Sequence, residues 1–293
     1  MTAKKSGNTP LSLSIAIPSS FIDVYSSKAQ KTQQIGRIAR AAAIFQLDEI
    51  FVYLDHENQK QARNLRLITR VLEYVETPQY LRKHLFGKIS ELKYAGLLPP
   101  LRTPHHPLEK HSKALKQGEI RDGYAFKEKN LRVIDVGVES FLPFLDAESI
   151  DLPTRITVKI SRTKSGDLVA RPSRPPRPLI YWGYKVIGTQ SLLGEFLLKS
   201  SSYGYIVALS RKGVAISKKR DLLHRQWKQA TRLLLLFGSH KEGLAEILER
   251  EGYRLSSIAN HTINLLSHQG VATIRTEEAV GIGLAIFRLI EQI

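Results

Sequence analysis

Strand-like and helix-like apolar patterns alternate in the N-terminal part of the chain, and this alternation limits the fold class. Leu11–Ile17 alternates with period two, and Glu49–Leu54 is a short apolar run, so both segments are predicted strands. Apolar residues at helical spacing follow each of them: Ile35, Ile38, Ala39 and Ala42, then Leu65, Ile68, Leu72 and Val75. This order favours an α/β fold with a parallel sheet covered by helices.

The alternation stops at a proline-rich segment and gives way to short strand-like runs. Ala95–Pro107 contains four prolines, which exclude a regular helix or a central strand. The clearest strands that follow are Asn130–Val138 and Thr154–Ile160, and Arg171–Pro178 is predicted to be extended linker. We therefore expect a small inserted β-barrel, OB-like in size, at residues 101–179, between α/β parts at residues 1–100 and 180–293.

The α/β pattern returns in the C-terminal part. Tyr205–Leu209, Arg232–Phe237 and His261–Leu266 are apolar runs of the kind that parallel strands buried on both faces have. Thr276–Ile293 is a predicted helix that is apolar around most of its circumference, which favours burial in the core or against a partner chain.

Basic residues outnumber acidic ones by a wide margin. Lys and Arg total 44 against 27 Asp and Glu, a formal charge of +17, which attracts polyanions such as nucleic acid. A ribosome-associated chain and simple solubility are the alternatives. The insertion holds the candidate RNA-binding residues Arg155, Lys159, Arg162, Lys164, Arg171 and Arg174. Tyr181, Trp182 and Tyr184 follow them and could stack on bases, although a solvated basic face would look the same.

Composition also removes several classes of function. The chain has no cysteine, so it has no disulfide, thiolate metal site or cysteine nucleophile. His105, His106 and His111 lack nearby ligands at metal-binding spacing, and no metal is expected. The sequence shows neither a run of about 20 apolar residues nor a secretory signal, so a cytoplasmic protein without a membrane partner is expected.

Two loops after predicted strands have the residues of a ligand site. Phe237–Gly243 brings glycines and a serine to a strand–helix junction, and Ser267–Ala279 is a longer polar junction before the last helix. Together they could hold an adenosine through backbone groups, while an ordinary turn remains the alternative for the first. The string Gly281–Ala285 lies inside the last helix and does not follow a strand, so it is not a dinucleotide fingerprint.

Several strings, taken in order along nearly the whole chain, resemble a known family. The matching strings are Leu13–Pro18, Ile38–Phe45 with Asp48–Ile50, Ala95–Leu98 with Pro104–His106, Tyr181–Tyr184 and Thr273–Ala279. They are similar to the SPOUT RNA methyltransferases, in the archaeal and eukaryotic branch that carries an OB-like insertion. The resemblance implies a C-terminal trefoil knot, a homodimer, S-adenosylmethionine as cofactor, and methylation of a uridine at N3 in large-subunit ribosomal RNA.

The resemblance also implies which residues hold the cofactor. Three segments carry them, at residues 210–212, 238–239 and 264–279, and the candidates are Ser210, Lys212, Gly238, Ser239, Asn264, Leu265, Leu266, Gln269, Gly270, Thr273, Ile274 and Ala279. The chain departs from the family at Ser267-His268, where the branch usually has Pro-Gly, and at Lys212, where an arginine is frequent.

Arg275 is the candidate catalytic residue, with Glu277 or Glu278 orienting it. A fixed cation would favour the deprotonated form of uracil N3, or would hold the adjacent phosphate. Alternatively, both glutamates only stabilise the N-terminus of the last helix. A second reading of the whole chain is a non-catalytic RNA-binding or ribosome-assembly factor that retains the fold, and the altered Ser267-His268 favours it.

Overall fold

A computed structural model describes residues 11–199 and 203–293 and divides the chain into two compact units. One comprises the described residues up to Glu73, residues 91–99 and the described residues from Tyr184 onward; the other comprises Tyr74–Ser90 and Pro100–Gly183. The domain boundaries expected from the sequence stay a prediction.

The secondary structure follows the chain as strands and helices with short 3-10 turns between them. The strands are β1 (Ser12–Pro18), β2 (Glu49–Leu54), β3 (Ile120–Glu128), β4 (Leu131–Asp135), β5 (Leu142–Pro143), β6 (Thr154–Arg162), β7 (Leu168–Pro172), β8 (Lys185–Leu192), β9 (Tyr205–Ala215), β10 (Arg232–Phe237) and β11 (His261–Asn264). The helices are α1 (Lys28–Ile44), α2 (Gln59–Glu76), α3 (Arg82–Leu85), α4 (Leu193–Lys199), α5 (Arg220–Ala230), α6 (Leu244–Arg250), α7 (Leu255–Ile258) and α8 (Thr276–Glu291).

A parallel sheet in the order β11-β9-β10-β1-β2-β8 forms the first unit, which confirms the α/β class. Strands β1 and β10 lie at its centre, and almost every residue of both is buried. Their sequences are nearly continuous apolar runs because helices cover both faces of such a sheet. The carboxyl ends of parallel strands meet at one edge, so the loops that follow β1, β2 and β10 lie near one another.

The helices of the first unit bury one side each. Helix α1 begins at Ser27, whose hydroxyl accepts the backbone N–H of Gln30 while the Gln30 side chain accepts the N–H of Ser27. Helix α8 buries Val280, Leu284 and Phe287, but Leu289 is 66% exposed. The buried face of α8 is therefore narrower than the apolar composition of the helix predicts. Within residues 11–199 and 203–293, none of the helices has both the length and the hydrophobicity that crossing a membrane requires.

The structure differs from the sequence prediction at several strands. The predicted linker Arg171–Pro178 is wrong at its start, because Arg171 and Pro172 pair with β6 as part of β7. A proline is tolerated there because β7 ends the hydrogen-bonded order of its sheet. The apolar pattern does not predict β8, since it is an edge strand of mixed composition, and β9 continues six residues past its apolar run to Ala215.

The second unit contains an antiparallel sheet in the order β5-β4-β3-β6-β7. Its two ends come together where Phe144 bridges Ala170 and the Leu145 N–H donates to the Ala170 carbonyl at 3.0 Å, so the sheet is nearly closed. Ala125, Ile134 and Val158 are fully buried inside it. The prediction of a small β-barrel is confirmed to the extent that this unit contains a nearly closed antiparallel sheet.

Candidate functional site

A cavity of about 340 Å³ lies in the first unit where β9, β10 and β11 meet their following loops. Three segments line it, at residues 209–212, 237–246 and 264–279. The candidates from the sequence that lie on its wall are Ser210, Lys212, Gly238, Ser239, Asn264, Leu265, Leu266, Gln269, Thr273, Ile274 and Ala279. Gly270 is not among the lining residues. The volume lies in the range of small-molecule sites, roughly 300–1,000 Å³.

A large irregularity in β9 forms the first wall. The pairing of β9 with β11 jumps from Ala208 opposite Thr262 to Val214 opposite Ile263, so residues 209–213 leave the ladder. Gly213 makes this possible, because a Cβ at that position would lie 2.6 Å from the Ile263 backbone carbonyl carbon. The bulge thereby turns Ser210 and Lys212 toward the cavity.

Hydrogen bonds tie this bulge to the last loop. The Arg211 guanidinium donates to the Ala272 carbonyl at 2.7 Å, and the Asn264 side-chain amide donates to the Arg211 carbonyl at 3.0 Å. The Lys212 ammonium is exposed and forms an ion pair with Glu246 at 2.6 Å. Hydrogen bonds and an ion pair therefore connect the bulge to the last loop and to α6 on this side of the cavity.

The loop between β10 and α6 is held by its own serine. The Ser239 hydroxyl accepts the N–H groups of Lys241 at 3.3 Å and Glu242 at 3.0 Å, and the Ser239 N–H donates to the Glu242 carbonyl at 3.0 Å. The Thr276 hydroxyl donates to the Gly238 carbonyl at 3.2 Å and joins this loop to the start of α8. The second wall of the cavity is thus a compact turn of fixed geometry.

The last loop, at residues 265–275, folds back on itself. The Leu266 N–H donates to the Asn264 side chain at 3.0 Å, and the Gln269 side-chain amide donates to the carbonyls of Val271 at 2.8 Å and Ala272 at 3.2 Å. Ser267 and His268 are exposed and do not line the cavity. The departure from the family at these two positions therefore lies outside the cavity wall.

The candidate catalytic residues meet at a tyrosine. The Tyr25 hydroxyl donates to the Glu277 carboxylate, and the Arg275 guanidinium donates to the Tyr25 oxygen at 3.2 Å. The Cζ atom of Arg275 lies 5.4 Å from the centre of the Tyr25 ring. Burial, followed by the hydrogen bond to Glu277, raises the pKa of Tyr25. Arg275 and Glu277 do not line the cavity, although Thr273 and Ile274 of the same loop do.

The two glutamates in the first turn of α8 have different roles. Glu278 accepts the backbone N–H of Arg275 at 2.9 Å and so stabilises the first turn of the helix. Glu277 is 5% exposed and reaches Arg275 through Tyr25. Sequence reasoning missed Tyr25 because it precedes Arg275 by 250 residues, and nothing in its local pattern marks it.

A buried polar cluster at the ends of β1 and β2 was also missed. The Asp55 carboxylate accepts the backbone N–H of Ser20 at 3.2 Å and the Ser20 hydroxyl, and Asp23 accepts the Asn64 amide at 2.8 Å. Asp55 is 1% exposed, and burial raises its pKa even though both bonds from Ser20 oppose the shift. Pro18-Ser-Ser20 and Asp55 directly follow apolar strands, which is the signal that could have identified them.

The candidate RNA-binding residues fall into two groups in the second unit. Lys159, Arg162, Lys164 and Arg174 are exposed. Lys159 lies opposite Arg171 in the β6–β7 ladder, and Arg171 pairs with Asp146. Arg155 is different, because its guanidinium is held by Glu76 at 2.8 Å and Asp122 at 2.7 Å.

Two of the three aromatic residues that follow the basic segment, Trp182 and Tyr184, are buried. The Trp182 indole donates to Asp122 at 2.9 Å, and the Tyr184 hydroxyl donates to the Leu72 carbonyl at 3.1 Å. The expectation that these two rings stack on RNA bases is not met by this arrangement. Amphipathic aromatic residues serve equally well as core residues with one satisfied polar atom, and the sequence alone does not separate the two uses.

Comparison with known proteins gives a consistent result. The sequence profile of the family described as "Putative RNA methyltransferase" matches residues 12–287. A Drosophila melanogaster protein named 28S rRNA (uridine-N(3))-methyltransferase is 31% identical over 94% of this chain, which spans 61% of the fly protein. Proteins of the same name from Mus musculus and Homo sapiens are each 29% identical; the matches cover 94% and 96% of this chain and 76% and 79% of those proteins.

Proposed function

The chain belongs to this RNA methyltransferase family, and from that premise we propose that it transfers a methyl group from S-adenosylmethionine to N3 of a uridine in large-subunit ribosomal RNA. The observation that carries the proposal is the cavity around which the three predicted loops meet. The relatives named 28S rRNA (uridine-N(3))-methyltransferases support the choice of substrate.

The cavity has the chemistry that an adenosyl group and an amino-acid tail need. Its apolar wall, which includes Leu209, Phe237 and Leu265, suits an adenine ring, and Ser210 and Asn264 offer polar groups beside it. We propose that all twelve candidate cofactor residues, Gly270 included, contribute to this site. When bound, S-adenosylmethionine supplies a methyl group already activated on a sulfonium, so the protein has only to position the acceptor and handle its proton.

Arg275 acts on the acceptor in this proposal. A guanidinium that stays protonated at all working pH values would stabilise the negative charge that develops on the uracil as N3 loses its proton. Tyr25 holds the guanidinium from one side, and Glu277 holds Tyr25. Because Glu277 is buried, this chain of contacts keeps Arg275 in one orientation at the end of the last loop.

The finer features of the fold are also proposed. The C-terminal trefoil knot of the SPOUT class is proposed from the resemblance; the contacts of Arg211 with Ala272 and of Thr276 with Gly238 support only the packing of the last loop and the start of α8 against β9 and the loop after β10. An OB-like topology for the second unit is supported by its strand order and by the parallel bridge from Phe144 to Ala170.

The exposed cations of the second unit are proposed to bind RNA outside the pocket. Lys159, Arg162, Lys164 and Arg174 would contact phosphates, with Arg171 and Arg155 at the margin because acidic side chains already hold both. A homodimer through the exposed side of α8, where Leu289 lies, and a cytoplasmic location complete the proposal.

Calorimetry and nucleoside mass spectrometry test the proposed function. The full chain should bind S-adenosylmethionine and convert a uridine of large-subunit ribosomal RNA to 3-methyluridine. Donor binding is expected because the loops that would contact it are already assembled. RNA binding without any donor binding at saturating protein would instead identify the non-catalytic assembly factor. Ser267 and His268 do not favour that alternative, since both lie off the cavity wall.

A further inference from the structure

His240 is an imidazole on the cavity wall to which the mechanism above gives no role. It lies in the loop between β10 and α6, next to Ser239, whose hydrogen bonds to Lys241 and Glu242 set the shape of that loop. Its Nδ1 atom is buried and has no hydrogen-bond partner within the described residues. A buried polar atom without a partner costs free energy, and such atoms in native proteins call for a reason.

Burial, more than the charges around it, favours the neutral form of the His240 ring by lowering its pKa. Burial lowers its pKa, and the charged groups that act on it are Lys241 and Lys60, which lower the pKa further, and Asp23 and Asp55, which raise it. Asp23 lies in the turn after β1, and Asp55 directly follows β2. His240 therefore lines the cavity and is near enough to the polar ends of β1 and β2 for their carboxylates to act on its pKa. A neutral imidazole has one ring nitrogen that accepts a hydrogen bond or a proton.

We propose that His240 is a catalytic residue that accepts the N3 proton of the target uracil. This inference rests on the proposed function, because it assumes a uracil as methyl acceptor. The imide proton moves to the free imidazole nitrogen, and the N3 electron pair forms the new bond to the methyl carbon. The carbon–sulfur bond breaks with its electrons on sulfur, which leaves a neutral thioether. The imidazolium returns its proton to solvent after the product leaves.

The two polar residues near the acceptor then divide the work. His240 removes the proton, and Arg275 stabilises the negative charge that the uracil carries before the new bond is complete. A neutral base and a permanent cation are compatible at neutral pH, whereas a protonated histidine could not accept the imide proton. Because neighbouring atoms cover Nδ1, the proposal requires the His240 ring to turn when the acceptor base binds, so that this unpartnered nitrogen meets the base.

The test compares His240→Gln with a matched control, His261→Gln. His261 is also partly buried with its pKa lowered by burial, but its Nε2 contacts the Gln226 side chain at 2.6 Å and it lies outside the cavity wall. His240→Gln should lower kcat near neutral pH by about 100-fold or more, the usual contribution of a general base. Affinity for S-adenosylmethionine, measured by calorimetry, should stay within about twofold of wild type. His261→Gln should keep the wild-type rate.

Two further readouts separate a proton acceptor from a structural residue. The rate deficit of His240→Gln should shrink as pH rises, because hydroxide then ionises the imide without help. In the wild-type protein, the His240 ring resonance should titrate below the ordinary histidine range. It should also shift when substrate RNA and S-adenosylhomocysteine bind together.

The inference is overturned if His240→Gln keeps the wild-type rate, or if its rate and its donor affinity fall in proportion, since His240 would then only contact the donor. A deficit that is constant across pH would overturn it as well. If the wild-type chain bound no S-adenosylmethionine, the proposed function would fall together with this inference. Wild-type activity with an equally active His240→Gln would remove this inference alone.

Discussion

At the scale of single residues, the site depends on a few side chains whose partners are distant in sequence. Tyr25 joins Arg275 to Glu277, and Thr276 bonds to the Gly238 carbonyl. Gly213 is needed because the bulge of β9 and the backbone of β11 touch there. Each of these contacts depends on a single side-chain group or on the absence of a Cβ. Single substitutions are therefore expected to measure the contribution of each contact to activity and stability.

Tyr25→Phe keeps the ring under the Arg275 guanidinium and removes the hydroxyl that joins it to Glu277. We expect kcat to fall about tenfold, equivalent to ~1.4 kcal/mol, because Arg275 loses a positioning hydrogen bond. The buried Glu277 carboxylate loses its donor, so the unfolding free energy should fall by about 1–3 kcal/mol. Steady-state kinetics and denaturant unfolding measure the two effects.

A double-mutant cycle shows whether Tyr25 acts through Arg275. Arg275→Ala should lower kcat more than Tyr25→Phe does, and adding Tyr25→Phe to Arg275→Ala should cost little more activity. Arg275→Ala with full activity would contradict the role proposed for the guanidinium. Additive losses would show that Tyr25 contributes by another route.

At the scale of elements, β6, β7 and the loops around them determine which cations of the proposed RNA-binding surface are exposed. Lys159 and Arg171 lie opposite one another, and two like charges in that position are unfavourable unless an anion lies nearby. Asp146 provides one for Arg171, whereas Lys159 is left exposed. Arg155 lies on the same strand as Lys159, but Glu76 and Asp122 hold its charge.

The triple variant Lys159→Glu, Lys164→Glu, Arg174→Glu is expected to weaken RNA binding and to leave donor binding unchanged. Removal of each phosphate-binding cation should make the slope of log affinity against log salt shallower by about 0.7–0.9. Filter binding at several salt concentrations measures the slope. Glu148→Gln, Asp151→Asn and Asp167→Asn together provide a control at exposed acidic positions of the same unit, and RNA binding that falls equally in both variants would contradict this surface assignment.

At the scale of the whole molecule, acid should destabilise the second unit through the buried carboxylate of Glu76. Burial alone would raise the pKa of Glu76, but the hydrogen bond from His105 and the charge and hydrogen bonds of Arg155 lower it to about 2 from an ordinary 4.5. A carboxylate with a lowered folded-state pKa adds stability above its unfolded pKa and loses it as pH falls through the folded value. The difference between the unfolded and folded pKa values of Glu76 corresponds to about 3 kcal/mol of folding stability, which is lost between roughly pH 5 and pH 2.

Chemical unfolding at several pH values checks this expectation. Wild-type stability should fall steeply below about pH 4.5, whereas Glu76→Gln should start lower at neutral pH and show a smaller fall over the same range. Glu139→Gln serves as the control, because Glu139 is exposed and bonds to Ser112 at the surface. An identical acid profile for wild type and Glu76→Gln would show that the Glu76 pair does not govern acid stability.

The site could be predicted in its outline but not in its interior. The residue pattern indicated the junctions Phe237–Gly243 and Ser267–Ala279, and the resemblance added Ser210 and Asn264; parts of all these segments line one cavity. The sequence did not reveal Tyr25 or His240, because a tyrosine after a serine-rich turn and a histidine in a short loop have no local pattern. Trp182 looked like an RNA contact and is a buried core residue, since an aromatic ring fits either environment.

Local sequence determined strands β1, β2 and β10, the α/β class and the β-rich insertion. Hydrophobic periodicity and the backbone restriction of proline act over a few neighbouring residues, so both can be recognised in a short stretch of sequence. Tertiary structure alone decided the order of strands, the bulge at residues 209–213, the burial of Asp55 and the orphaned nitrogen of His240. These features arise where segments far apart in the chain pack together and exclude water. The free energy of each contact depends on which distant residue packs there, and a single stretch of sequence does not contain that information.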